Sequence, residues 1–271
     1  MSYVASISYG KDSLKMLDVI KSRGLPLDRI ITFDVWATDT ISADFPEVAE
    51  FKKQMDGYIK EKYGIEVEHL CARYADGSKV TYEKEFYKVK GKGKFKGTIY
   101  GFPLTLGAWC NSRLKMNART GAVKKGDVEY IGIAYDEPKR QGRLNENLIA
   151  PLVDFGIDED LCGLHCMYEG ILSPSYADGH RDGCWFCHNQ GADRLRLLRK
   201  KQPQLWALLL KWDKDSPFGF KADGHTVHDF DRRFQAEDEG CIDPDKPFRW
   251  SMLDEPLQYQ IKFYDYDPKK G

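Results

Sequence analysis

Tyr3-Val4-Ala5-Ser6-Ile7-Ser8-Tyr9-Gly10-Lys11-Asp12-Ser13 is the stretch that decides the fold class. Its first five residues make a short β-like run, which breaks at a glycine. Beyond Gly10, Leu14, Leu17 and Ile20 recur at three-residue steps until Gly24, a spacing that predicts a helix. A strand that enters a helix through a short Ser/Gly loop makes an anion site. The helix start offers unpaired N–H groups and the positive end of its dipole. Gly10 lets the backbone come close to a phosphate, Ser8 and Ser13 offer hydroxyls, Lys11 supplies charge, and Asp12 can cap the helix or hold a cation. The plain alternative is a turn with a serine cap. A Walker A loop is excluded, because no glycine stands five residues before Gly10.

Outward from this loop the pattern repeats. Residues 30–33 form a second strand candidate, and a longer helix starts at Pro46 with Val48, Phe51, Met55 and Ile59 on one face. Residues 65–70 and 128–133 are the third and fourth strand candidates. Strands alternating with helices imply an α/β fold with a doubly wound parallel sheet, whose ligands sit at the carboxyl ends of the strands near the switch in strand order. The expected division is a nucleotide-binding domain over residues 1–190 and a small helical extension over 191–271. A lysine-rich insert near 76–98 carries Lys84, Lys88, Lys90, Lys92, Lys94 and Lys96 without a helical period. It reads either as a solvated hairpin or as an arm that meets the phosphates of a nucleotide or nucleic acid. Leu205, Leu208, Leu209 and Trp212 suggest an amphipathic helix that packs on the main body.

The 271 residues hold 42 acidic and 41 basic side chains. That balance argues against a generic nucleic-acid coat and leaves room for a local basic patch. There is no run of 18 apolar residues and no basic leader before an apolar stretch, so the expectation is a cytoplasmic protein without a membrane span. Seven cysteines in a reducing compartment point to metal binding or redox chemistry rather than to disulfides. Cys184 and Cys187 have the closest spacing that lets two thiolates share one metal or cluster. Such a pair needs two more ligands, for which Cys110 and Cys166 are the choices, with Cys162 the rival for the fourth place. Four thiolates suit zinc and a [4Fe–4S] cluster alike; buried apolar thiols or a redox dithiol are the alternatives. Cys71 and Cys241 stand alone, the pair His225 and His228 reads as structural, and His165 and His188 flank the cysteines.

Five landmarks occur in one order along residues 3–190. The loop Ser8-Tyr9-Gly10-Lys11-Asp12-Ser13 resembles the Ser-Gly-Gly-x-Asp-Ser signature of the PP-loop adenine-nucleotide proteins, with Tyr9 in place of the first glycine. Phe45-Pro46-Glu47, Trp109-Cys110-Asn111-Ser112-Arg113-Leu114-Lys115, Ile131-Gly132-Ile133-Ala134-Tyr135-Asp136-Glu137 followed by Arg140, and Gly183-Cys184-Trp185-Phe186-Cys187 resemble elements of the PAPS-reductase-like branch of that superfamily. The resemblance implies an adenine-nucleotide ligand, ATP or a sulfonucleotide. Ser8, Tyr9, Gly10, Lys11, Asp12, Ser13, Asp34, Gly132 and Arg140 would form its site.

For the reaction, the resemblance implies ATP-dependent activation of a substrate by adenylation, with pyrophosphate released, in sulfur transfer or nucleic-acid modification. Lys11 and Lys115 with a magnesium ion would stabilise the phosphate charge, Asp12 and Asp34 would be partners of the magnesium, and the lysine-rich insert would dock DNA or tRNA. Proteins of DNA phosphorothioation and tRNA thiolation look like this arrangement. One alternative is a thiol-dependent sulfonucleotide reductase. Its Glu-Cys-Gly-Leu-His element is matched by Leu161-Cys162-Gly163-Leu164-His165 without the glutamate, and Ala134 replaces the arginine of the family's Gly-Ile-Arg. A second alternative is a non-catalytic nucleotide-binding protein, a sensor or a subunit of a larger complex; whatever the reaction, a homo-oligomer or a complex subunit is the expected assembly.

Overall fold

The computed structural model describes residues 1–103, 108–177, 179 and 182–254. They divide into two compact units, one made of residues 1–88 and 108–187, the other of 89–103 and 188–254.

The first unit is α/β. Its strands are β1 (Tyr3–Ile7), β2 (Arg29–Phe33), β3 (Val67–Leu70), β4 (Val128–Ile131) and β5 (Leu148–Ile149), in the order β3-β2-β1-β4-β5 with every pairing parallel. Parallel neighbours require crossovers, and α1 (Lys11–Ser22) and α2 (Pro46–Tyr63) supply the first two. Helix α3 (Tyr82–Tyr87) follows, then a π-wound turn (Asn111–Met116) that runs into α4 (Asn117–Ala122). Short helices α5 (Pro138–Gln141) and α6 (Pro151–Asp154), the longer α7 (Glu159–Tyr168) and the single turn α8 (Pro174–Ala177) complete the unit. Strand order reverses at β1, between its neighbours β2 and β4, and the loop after β1 therefore opens at the switch point.

Burial explains the spacing read from the sequence. Leu14, Leu17 and Ile20 of α1 are buried in one cluster with Ile7, Ile30 and Phe51. Met16 and Val19 are buried as well, because α6 and α7 pack against α1. α2 starts with Pro46, whose fixed φ suits the first helical position, and ends at Gly64 in the left-handed region at φ 73°. One charge lies inside the sheet layer: Glu129 of β4 is buried, accepts Ser6 Oγ at 2.6 Å, and is held by the Arg119 guanidinium from α4. A buried carboxylate persists only with such partners.

Three expectations shift. The fourth strand ends at Ile131, not at residue 133, because the chain must pass close to α1 at Gly132. β5, two residues long, carries too little pattern to be read. Within the lysine-rich segment, residues 82–87 are helical; Thr81 caps this helix by accepting from Lys84 N at 3.2 Å, and Tyr82, Glu85 and Phe86 are its buried side.

The second unit gathers α9 (Ala192–Lys201), α10 (Pro203–Asp215), α11 (Val227–Asp238) and a 3-10 turn (Trp250–Leu253). The buried stripe of α10 is Trp206, Leu209 and Trp212, one residue away from the expected Leu205 and Leu208, and it faces α9 and α11. Buried Asp213 caps α11 by accepting from Val227 N at 2.9 Å and His228 N at 3.1 Å. The remainder of the lysine-rich segment belongs here. It forms a hairpin in which Lys90 N donates to Thr98 O at 2.8 Å and Gly97 N donates to Lys90 O at 2.9 Å. Phe95 meets Phe218 edge-on at 5.0 Å, and Phe102 meets Phe220 in the same way at 5.0 Å. Gly101, at φ 60°, is confined twice, since a Cβ there would lie 2.7 Å from both Pro217 and Ser216.

Candidate functional site

The loop after β1 is fixed from both ends. Ser13 Oγ donates to Gly10 O at 2.9 Å and accepts from Ser8 N at 3.2 Å. The Ser13 hydroxyl therefore closes the loop and does not offer its proton to a ligand, as the sequence had suggested. Gly10 takes an extended conformation at the start of α1. Tyr9 has φ 60°, the left-handed region that non-glycine residues rarely enter, in the position where the PP-loop signature has glycine. Its buried ring carries a hydroxyl that donates to Asp56 Oδ1 at 2.5 Å and lies 3.2 Å from His69 Nε2. His69 Nδ1 in turn stands 2.9 Å from Asp34 Oδ2. The hydrogen bond to Asp34 raises the histidine above its ordinary range, and burial first, then Asp56, raises the Tyr9 phenol. Asp34, expected at a magnesium ion, is thus the far end of a strut that holds Tyr9.

Over the loop lies a cleft of 370 Å³. Of the expected residues, Ser8, Gly10, Asp12, Ser13, Lys115, Gly132, Arg140 and Cys184 line it, and Thr32, Asp44, Lys52, Tyr176 and Asp182 join them. Gly132 is required by space: a Cβ would stand 2.8 Å from Ser13 N and 2.9 Å from Ser13 Cα. Lys11 faces elsewhere. Its ammonium lies 2.8 Å from Asp12 Oδ1 and 3.4 Å from Glu159 Oε2. Burial lowers its proton affinity, but these carboxylates outweigh burial and leave it raised. Asp12 is raised, chiefly by burial. Asp12, Glu137 and Glu159 bring their oxygens within 4.8 Å of one another.

The cations on the cleft are Lys52, 2.6 Å from Asp44 Oδ2; Arg140, 2.7 Å from Glu137 Oε2; and Lys115, which has no ion pair among the described residues. Asp182 Oδ1 accepts Ser173 Oγ at 2.8 Å, whereas its buried Oδ2 has no partner among the described residues. Sequence reasoning missed Asp44, Lys52 and Asp182. Asp44 directly precedes Phe45-Pro46-Glu47, but its partner Lys52 lies two helical turns further on, and nothing local signals the pair.

The cysteines separate into two groups. Cys110, Cys184 and Cys187 act on one another electrostatically, and all three act on the buried hydroxyl of Tyr82. A turn closed by Cys187 N donating to Cys184 O at 3.0 Å sets the last two, and Trp185 pins that turn through Nε1 to Ser42 O and N to Ala43 O, both at 2.9 Å. Tyr82 stacks with Trp109 at 5.0 Å and meets Phe186 at a tilt at 4.1 Å, which makes an aromatic wall beside the thiols. Burial raises Cys110 and pushes Cys184 up to about 12, while Lys115 pulls against both shifts.

Cys166 does not join this group. It sits on α7 one turn after Cys162, both fully buried against α1, with Cys166 Sγ 3.5 Å from Lys11 O. Helical spacing turns both thiols inward to the same neighbour. Cys166 and its rival Cys162, the candidates for the fourth place, thus lie on the face of α7 that meets α1. Burial first, then Asp12, pushes Cys162 and Cys166 each up to about 12. Cys162, the thiol a reductase would need, is thus buried against α1 and out of solvent.

No family model matches the chain, and no curated protein sequence matches it. Among solved structures the chain is similar to the U34-tRNA thiolase NcsA from Methanococcus maripaludis with its [4Fe-4S] cluster, at 16% identity and a TM-score of 0.39, over 85% of this chain and 80% of that one. A likeness at that level carries no weight for the reaction. No helix among the described residues is long and apolar enough to cross a membrane.

Proposed function

We propose that the chain is a PP-loop enzyme that binds ATP over Ser8–Ser13 and adenylates its substrate beside a cysteine-held iron–sulfur cluster, in sulfur transfer or nucleic-acid modification. The observation that carries this reading is that Cys184 and Lys115 both line the cleft over Ser8–Ser13, and that Lys115 acts electrostatically on Cys184. A nucleotide site and a thiolate site on one wall suit a reaction that activates and then transfers.

A substrate oxygen attacks the α-phosphorus of ATP. A new P–O bond forms as the bond to the bridging oxygen breaks, and pyrophosphate leaves with the electron pair. A sulfur or nitrogen nucleophile then displaces AMP from the activated carbon. Lys115 and Arg140 stabilise the charge on the phosphates, the N–H groups at the start of α1 cradle them, and Asp12 offers its carboxylate to magnesium. Asp182 Oδ2 offers an acceptor to a ribose hydroxyl or the adenine amine.

The donor set fits a bound cluster. Three partly buried thiols stand beside an aromatic wall, and three protein ligands leave one coordination position for a non-protein group. Zinc would need its sulfurs about 3.8 Å apart, given a Zn–S bond of about 2.3 Å. The three thiols are spread more widely than the 4.8 Å within which Asp12, Glu137 and Glu159 gather. That favours a cluster, whose ligands sit on separate irons. When bound, the cluster would supply a metal site for the transferred sulfur. Sulfonucleotide reduction has no support from the buried Cys162.

The test is thermal stabilisation of anaerobically purified protein by ATP with magnesium, beside PAPS and adenylyl sulfate, together with iron and sulfide content. Stabilisation by ATP and loss of that shift in Lys115→Ala are expected. Stabilisation by a sulfonucleotide alone overturns the reading.

A further inference from the structure

We infer that the second unit is a binding module for single-stranded nucleic acid, with a pocket that takes an unpaired base. This inference gives the proposed reaction its substrate class and rests on that reading for its catalytic meaning; the binding itself does not.

The pocket has 750 Å³ and lies among α9, α11 and the 3-10 turn. Phe230, Phe248 and Trp250 line it, along with Arg233, Lys221 and Asn189. The rings are fixed by one another. Trp250 meets Phe230 edge-on at 5.1 Å and Phe248 edge-on at 5.0 Å, and His225 stacks on the indole at 3.9 Å. The Arg233 guanidinium lies over the Phe248 ring at 3.9 Å. Rigid aromatic faces held in place, with a guanidinium plane among them, are the stacking platform that unpaired bases use.

Charge inside the pocket is already engaged. Lys221 donates to His188 O at 2.7 Å and to Gln190 O, and Arg233 Nε donates to Glu237 Oε1 at 2.8 Å. A small anion therefore finds little there, while a flat neutral ring finds faces to stack on and, at Asn189, an amide that can both donate and accept at a base edge.

Available charge lies in the same unit, on the hairpin of residues 89–103. Lys90, Lys92, Lys94 and Lys96 stand on it with no acidic residue in that span. The hairpin is anchored close in sequence to a residue of the pocket. Lys90 lies over Phe218 at 4.0 Å, and Phe218 is three residues before Lys221 of the pocket. Stacking faces in one unit with a strip of lysines match a strand of bases on a phosphate backbone, in which the bases are unpaired and the backbone is anionic.

The experiment measures fluorescence anisotropy of fluorescein-labelled oligo-U and oligo-A, as RNA and as DNA, beside the annealed duplex, with the full chain. Single strands are expected to bind more tightly than the duplex. Trp250→Ala should weaken them roughly 5- to 150-fold, as expected when one base loses its stacking partner, and Trp250→Phe should restore most of the loss. Replacing Lys92, Lys94 and Lys96 with Gln should flatten the salt slope by about 2. RNA against DNA in the same assay shows which sugar is preferred. Lys115→Ala, a change in the cleft, should leave this binding intact. If it does so while ATP fails to bind the native chain, the catalytic reading falls and the module stands. Equal affinity for duplex, no binding by the native chain, or single-strand affinity untouched by Trp250→Ala overturns the inference.

Discussion

The Tyr9 hydroxyl donates a 2.5 Å hydrogen bond to Asp56 Oδ1, and so ties the turn between β1 and α1 to the middle of α2. The residue occupies a backbone conformation that costs an L side chain roughly 1–2 kcal/mol. Its buried ring and the Asp56–His69–Asp34 strut stabilise what the backbone disfavours.

Tyr9→Gly should therefore destabilise the chain although it relieves the backbone. Removing a fully buried aromatic ring costs about 3–5 kcal/mol, more than the relief returns. Tyr9→Phe should cost less, about 1.5–3 kcal/mol, the value of a hydrogen bond to a charged group. Urea unfolding of the three proteins checks the order; a Tyr9→Gly protein as stable as the native one would show that the strut does not hold the loop.

Stability should depend on pH through His69. Its folded value is raised by Asp34 and Asp56, so the protonated ring favours the folded state. That contribution is fully present below the ordinary histidine value of about 6.5 and is lost as pH rises through the raised folded value. The stability difference between native protein and His69→Gln should be largest below that point and shrink above it. A difference that grows with rising pH contradicts the strut.

Gly132→Ala should impair the nucleotide site without any problem of backbone angle. The added Cβ meets Ser13 N and Cα at under 3 Å, so β4 and the start of α1 must separate. A cost of about 1–3 kcal/mol is expected from overpacking, along with a reduced thermal shift with ATP. Calorimetry with and without ATP and magnesium reads both effects.

Metal content should follow the grouping of the cysteines in space. Cys110→Ser, Cys184→Ser and Cys187→Ser should each lower iron and sulfide per chain, and Cys166→Ser should not, because Cys166 faces α1 beside Lys11. Anaerobic purification followed by iron and sulfide assay decides. Equal loss in all four variants would restore the four-cysteine set.

Much of the fold was legible because it is written locally. The strand over residues 3–7, the α1 stripe of Leu14, Leu17 and Ile20, and the Pro46 start of α2 are signals of period and capping, and the structure follows them. What was not legible depends on direction in space. Cys166 was chosen to complete the ligands of the Cys184 pair, but the spacing of Cys162 and Cys166 sets both on the face of α7 that meets α1. Lys11 was expected at the phosphates because cations suit them, yet Glu159, distant in sequence, draws it aside. Asp34 looked like a magnesium partner until His69 arrived from the end of β3. The lysine-rich segment looked uniform, yet a helix ends within it, and beyond Lys88 its residues pack with a different unit.

That last division bears on how the protein is made. As the chain emerges from the ribosome, the hairpin of residues 89–103 appears long before Ser216, Phe218 and Phe220, which it packs against. The described strands and helices of the first unit are all made by residue 187, while the hairpin still waits for the residues beyond it that it packs against. Expressing the second unit alone would therefore require joining two separate stretches of the gene; a simple truncation at either end would divide it.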